Sequence, residues 1–179
     1  GTIENPFVPG QLVLGAGGNF FARVVDNNIK HSQEIFELAA AHKGTSVVEV
    51  LQNCVIFNDG IHAEIADPKM RDERQIFLEH GKPMIFGFSR DKGLIFDKGN
   101  LKAVKIGENG VSINDILVHD ATEPNGFIHQ LLINMKLPDL PVAMGIIRAV
   151  EAPVYDLAME AQIAEIQSKS KIKCVDDLL

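Results

Sequence analysis

The stretch from residue 20 to residue 52 constrains the fold most. FFARVVD, residues 20–26, is aromatic and β-branched and reads as a strand. A helix comes next. Asn28 can cap it, Ile35, Phe36, Leu38 and Ala39 form its apolar stripe, and Gly44 stands where a left-handed residue closes a helix. TSVVEVLQ, residues 45–52, then reads as a buried strand, because Val47, Val48, Val50 and Leu51 leave little room for a wet face. Strand, helix and strand with short joints make a βαβ unit, whose crossover forces the two strands parallel. The expectation is an α/β fold with a mainly parallel sheet.

The remainder is read around that unit. GTIENPFVPG is irregular, since Asn-Pro and Pro-Gly both disfavour regular structure, and residues 11–15 fit either a short helix or a strand. Residues 54–67 read as a loop. DPKMRDERQIFLEHG predicts a helix over 68–80, with Pro68 in its first turn and Gly81 beyond its end. PMIFGFSRDKGLIFDKGNLKAVKIGENGVS reads as a meander of two or three strands between glycine turns. INDILVHD favours a short helix running into an extended segment, and a helix is expected over 125–135. PVAMGIIRAVEAP reads as a strand. The last helix carries the stripe Tyr155, Met159, Ile163 and Ile166, with Asp156 in its first turn and lysines after its end.

Composition removes several classes of function. With 179 residues, 46% apolar and 23% charged, the chain can bury a core and is not a disordered segment. A formal charge of −7 repels phosphate backbones and anionic bilayers, so neither nucleic acid nor membrane is an expected partner. No apolar run approaches the roughly 20 residues that cross a bilayer, and the opening residues lack the basic and apolar regions of a signal peptide. Two distant cysteines, Cys54 and Cys174, form no disulfide framework, which points to a reducing, cytoplasmic compartment.

The motifs narrow the chemistry. GAGGN lacks the spacing of the dinucleotide fingerprint, and the residues after it look like a strand; Gly15, Gly17 and Gly18 read as a tight turn between packed elements. The histidines, His31, His42, His62, His80, His119 and His129, form no zinc motif and read as surface or loop residues. No G-x-S-x-G elbow is present, and the carboxylate-rich segments read as solvated loops and helix starts. Cys54 leaves two readings open. A cysteine after a buried strand is commonly a small packing residue. It also lies at the carboxyl end of a parallel strand, where α/β sheets gather their ligands, with Asn53, Asn58 and Asp59 at the same rim. One thiolate cannot hold an iron–sulfur cluster, which takes four.

Several segments together resemble the β subunit of 2-oxoacid:ferredoxin oxidoreductases, nearest to the bacterial 2-oxoglutarate type. They are GTIENPF, LGAGGNFFARVVD, HKGTSVVEVLQNCVIFN, VHD and PVAMGIIRAVEAPVYD, in order from residue 1 to about residue 155. The resemblance implies that this is the C-terminal half of the thiamine diphosphate-binding subunit. Residues 1–82 would belong to the thiamine-binding α/β domain, and 83–179 to a family-specific region with the β meander and helices. It implies that Cys54 is the fourth ligand of a 4Fe–4S cluster. The other three cysteines, and the motif for Mg²⁺ and thiamine diphosphate, would lie on the missing N-terminal half of the β subunit. The implied reaction is oxidative decarboxylation of a 2-oxoacid, 2-oxoglutarate before pyruvate, to an acyl-CoA. Coenzyme A takes the acyl group, ferredoxin takes the electrons, and an α subunit completes the site. Asn53 stands where the family commonly has proline; it can bend the chain and donate to a cluster sulfur, and Asn53, Asn58 and Asp59 are expected just outside the cluster's ligands or at a subunit interface. The isolated chain is expected to be inactive. The rival expectation is a non-catalytic module that docks a partner subunit.

Overall fold

The computed structural model describes residues 3–170. Its centre is a four-stranded sheet in the order β2-β1-β7-β3, flanked by a three-stranded sheet in the order β4-β5-β6. The βαβ unit forms as the sequence requires. β1 (Phe20–Val25) pairs in parallel with β2 (Ser46–Leu51), and α2 (Ile29–Ala41) makes the crossover. Every residue of β1 is buried, because both faces of the sheet are covered. Phe20, Ala22 and Val24 face α2 through Ile35 and Ala39. Phe21 points the other way, into the larger core with Leu132, Ile133, Ile76 and Ile147.

That larger core is closed by α1 (Pro9–Gly15), α5 (Phe127–Ile133) and the meander. The ambiguous residues 11–15 are therefore helical, with proline in the first turn of α1. A Cβ on Gly18 would fall 2.7 Å from the Val13 carbonyl oxygen, and Gly17 adopts φ +77. The glycine cluster is thus a close-packed joint between α1 and β1. The meander consists of β4 (Ile85–Phe86), β5 (Lys92–Asp97) and β6 (Asn100–Lys105), all antiparallel. Lys98 and Gly99, at φ 49 and 87, make the tight two-residue turn that suits a right-twisted hairpin. A 3₁₀ turn at Ile113–Asp115 has the capping box of Ser112 and Asp115, and an extended segment leads on from it, as expected.

Four expectations are corrected. The helix over 68–80 is one short turn, α4 (Arg71–Arg74), followed by a strand, β3 (Gln75–Leu78); a short turn, α3 (Ala63–Ala66), precedes it within the segment read as a loop. Ile76 and Leu78 go into the core beside β7 (Val142–Ala149), to which β3 pairs in parallel; burial against that strand outweighs the local helical preference. β2 is an edge strand and half-buried, with Val50 exposed. Of the α2 stripe only Ile35 is fully buried, and Phe36 and Leu38 are exposed. Two histidines, His119 and His129, are core residues. The final helix, α6 (Tyr155–Lys169), exists as expected but has no buried residue, so its stripe faces solvent. Cys174 lies outside the described residues. No described helix is long and apolar enough to cross a membrane.

Candidate functional site

β1 and β2 run in the same direction and end at the same rim, where each releases a loop. The two exits are tied together. The Asp26 N–H donates to Leu51 O at 3.2 Å, and the Asn53 N–H donates to Asp26 Oδ2 at 3.3 Å. Asn53 then closes the loop beyond β2. Its Oδ1 accepts the Gly60 N–H at 2.8 Å, and its Nδ2 donates to Asp59 Oδ1 at 2.9 Å. Inside that ring the Asn58 N–H donates to Cys54 O at 2.9 Å. Gly60 sits at φ +78, a conformation that costs glycine little. Asn27 Nδ2 donates to Ala66 O at 2.6 Å and anchors the far side.

Cys54 is a half-buried free thiol at the base of this loop. Beyond it Val55, Ile56 and Phe57 are 72%, 83% and 90% exposed, an apolar tip that water alone does not explain. Beside the loop, Asp26, Ile29, Phe36, Ala40 and Val50 line an open, largely apolar groove of about 590 Å³. The rim therefore presents one thiol, a fixed carboxylate pair in Asp26 and Asp59, and a greasy border.

Of the residues expected here, Cys54, Asn53 and Asp59 are brought together, while Asn58 contributes through its backbone. One N–H of the Asn53 amide goes to Asp59. Asp26 is a rim residue that sequence reasoning misses. Its only signal is its place directly after a strand, which any turn-forming aspartate shares. Among the described residues, no group of three or more His, Cys, Asp and Glu side chains could hold a metal ion. A four-thiolate cluster therefore does not fit these residues by themselves.

No family model matches the chain. Over 164 residues, 91% of its length, the chain is 32% identical to the 2-oxoglutarate oxidoreductase subunit KorB of Mycobacterium tuberculosis. Over 63 residues it is 41% identical to the β subunit of 2-oxoacid:ferredoxin oxidoreductase 1 of Aeropyrum pernix. It spans 43% of the first relative and 20% of the second, so it corresponds to under half of either. A solved 2-oxoglutarate:ferredoxin oxidoreductase of Magnetococcus marinus matches 99% of the chain and 45% of its own, with a TM-score of 0.58. At 17% identity that likeness concerns the fold alone. The chain is a homologue of part of the β subunit of 2-oxoacid:ferredoxin oxidoreductases.

Proposed function

We propose that this chain is the C-terminal part of the β subunit of a cytoplasmic 2-oxoacid:ferredoxin oxidoreductase, with 2-oxoglutarate as the favoured substrate. The reaction is oxidative decarboxylation to an acyl-CoA with electrons passed to ferredoxin. Homology along 91% of the chain to a 2-oxoglutarate oxidoreductase subunit carries this reading. The cysteine rim supports it: a half-buried thiol stands at the carboxyl end of two parallel strands, on a loop closed by side-chain hydrogen bonds.

In this reading Cys54 supplies one thiolate to a 4Fe–4S cluster whose other ligands come from polypeptide outside this chain. The cluster, when bound, accepts single electrons. Thiamine diphosphate and Mg²⁺ are held by residues that this chain does not contain. The chain's own contribution is to fix the thiol. Asp26 sets the chain's direction as it leaves β2, and Asn53 and Gly60 close the loop, so the sulfur is held with little freedom to move. The apolar tip at Val55–Phe57 covers the rim from water when the α subunit or the rest of the β subunit packs over it.

The test is an assay with the complementary β-subunit polypeptide and the α subunit supplied. Coenzyme A-dependent reduction of ferredoxin is expected with 2-oxoglutarate at a higher kcat/KM than with pyruvate, and none from the 179-residue chain alone. Full activity of the assembled complex without this chain would make it a docking module and overturn the proposal.

A further inference from the structure

A second site lies on the opposite side of β1, where no rim residue reaches. The pairing of β1 with β7 shifts register: Phe21 faces Arg148 but Ala22 faces Ile146. Ile147 is therefore an extra residue, a bulge. Beside this bulge the Ile146 carbonyl accepts Nε2–H of His119 at 2.9 Å. The backbone of His119 is fixed as well, by bonds with Lys82 O at 2.9 Å and the Gly81 N–H at 2.8 Å. Two residues on, Ala121 O accepts the Ala149 N–H at 2.7 Å. Between them Asp120 O accepts Nε2–H of His129 at 2.8 Å.

Arg148 completes the cluster. It donates to Gly18 O at 3.1 Å, Glu123 O at 2.9 Å, Pro124 O at 3.2 Å and His129 Nδ1 at 3.1 Å. A guanidinium only donates, so His129 Nδ1 is bare and its proton sits on Nε2. His119 faces a carbonyl with Nε2, so its proton is there too, and its buried Nδ1 has no partner. The two rings are edge-to-face at 6.3 Å, both buried, and both neutral. The ionisable groups around them are Arg148, His80, Asp120 and Glu123. Asp120 Oδ1 lies 3.4 Å from His80 Nδ1 and accepts the Thr122 hydroxyl at 2.7 Å and its N–H at 2.9 Å, so it reaches neither buried ring with a hydrogen bond.

We propose that His119, His129 and Arg148 form a proton-operated latch that holds the 119–124 segment and the Gly17–Gly18 turn against β7. A proton on His129 Nδ1 would point at the guanidinium and break the bond between them. A proton on His119 Nδ1 would have no acceptor in a dry site. Uptake of either proton therefore requires the segment to open. Burial holds His129 below the usual histidine range, with Arg148 adding to the effect, and pushes His119 down to about 4. When Arg148 lets go, Gly18, Glu123 and Pro124 lose their shared donor, and the groove of about 410 Å³ lined by Gly18, Pro124, Gly126 and Phe127 widens. The inference is independent of the role given to Cys54.

Amide exchange of the 179-residue chain, corrected for intrinsic rates and followed from neutral pH down to about 4, tests the latch at the Ala149 N–H. Below the ordinary histidine value of 6.5, the opening constant of that amide is expected to rise about tenfold per pH unit for one linked proton and about a hundredfold for two, and to stay flat above it. The amides of β1, which open only with the whole fold, are expected to stay far better protected than the Ala149 N–H throughout that range. In the double variant His119→Gln and His129→Gln, which keeps a donor near each Nε2 position, the slope should vanish. If that variant fails to fold, histidine resonances of the unaltered chain decide: both rings should gain their protons together with the loss of Ala149 protection. A pH-independent Ala149 amide, a slope that survives in the double variant, or a protonated His129 in the closed state at neutral pH would overturn the latch.

Discussion

Arg23 is a buried cation in the middle of β1, paired in register with Glu49 on β2. Its Nε donates to Glu49 Oε2 at 2.6 Å, and Nη2 donates to Ile133 O at 3.2 Å. Removing the carboxylate leaves the guanidinium buried without its counter-ion. Glu49→Ala is therefore expected to lower unfolding stability by roughly 3 kcal/mol, read from urea denaturation; a loss below about 0.5 kcal/mol would mean that the pair is effectively solvated. His119 makes a pH prediction. Its folded pKa, about 4, lies below the ordinary 6.5, so its contribution is fully present above 6.5 and is lost as pH falls toward 4. The expected loss across that window is about 3 kcal/mol, and His119→Gln should flatten it in denaturation curves taken at several pH values. At this scale the sequence reveals what is local. Cys54 after a β-branched run and Asn53, Asn58 and Asp59 beside it are visible, because the strand end and its turn formers are contiguous. Asp26, and the burial of His119 and His129, are not, because their partners lie far away in the chain.

Among the longer helices of the described residues, α6 is the one with no buried side chain. Its 15 residues include no buried side chain, and a helix of that length without tertiary support is marginal in water. Its backbone amides are expected to exchange within the fastest class of the protein, and cutting the chain after Val154 should change unfolding stability by less than about 0.5 kcal/mol. Protection of α6 equal to that of β1 would contradict this. The stripe of Tyr155, Met159, Ile163 and Ile166 makes the helix legible from its period, but the period says nothing about whether a covering surface exists in the same chain. β3 shows the reverse failure. RDERQIFL contains good helix formers, and only the arrival of β7, far along the chain, turns Gln75–Leu78 into a strand. β1, α2 and β7 are legible because their own apolar patterns and their neighbours agree.

The whole molecule has an open edge. β2 borders the four-stranded sheet with one side unpaired, Val50 and Phe36 are exposed beside it, and the apolar tip at Val55–Phe57 projects from its end. An uncovered strand edge next to apolar surface pairs with whatever it meets. The isolated chain is therefore expected to self-associate as its concentration rises in sedimentation velocity, despite a net charge of −7; Val50→Lys with Phe57→Ser should keep it monomeric. A chain that stays monomeric without those changes would contradict this. The α/β class and the meander are legible at this scale, whereas the strand order is not, since β7 enters between β1 and β3 from the far end of the described chain. The central claim concerns the thiol at that rim. It is tested by iron and acid-labile sulfide content of the complex assembled with the complementary β polypeptide and α subunit, comparing the unaltered chain with Cys54→Ser. The account predicts an intact 4Fe–4S cluster in the first and loss of the cluster, or of one thiolate ligand by its electron paramagnetic resonance signal, in the second; an identical cluster in both would contradict it.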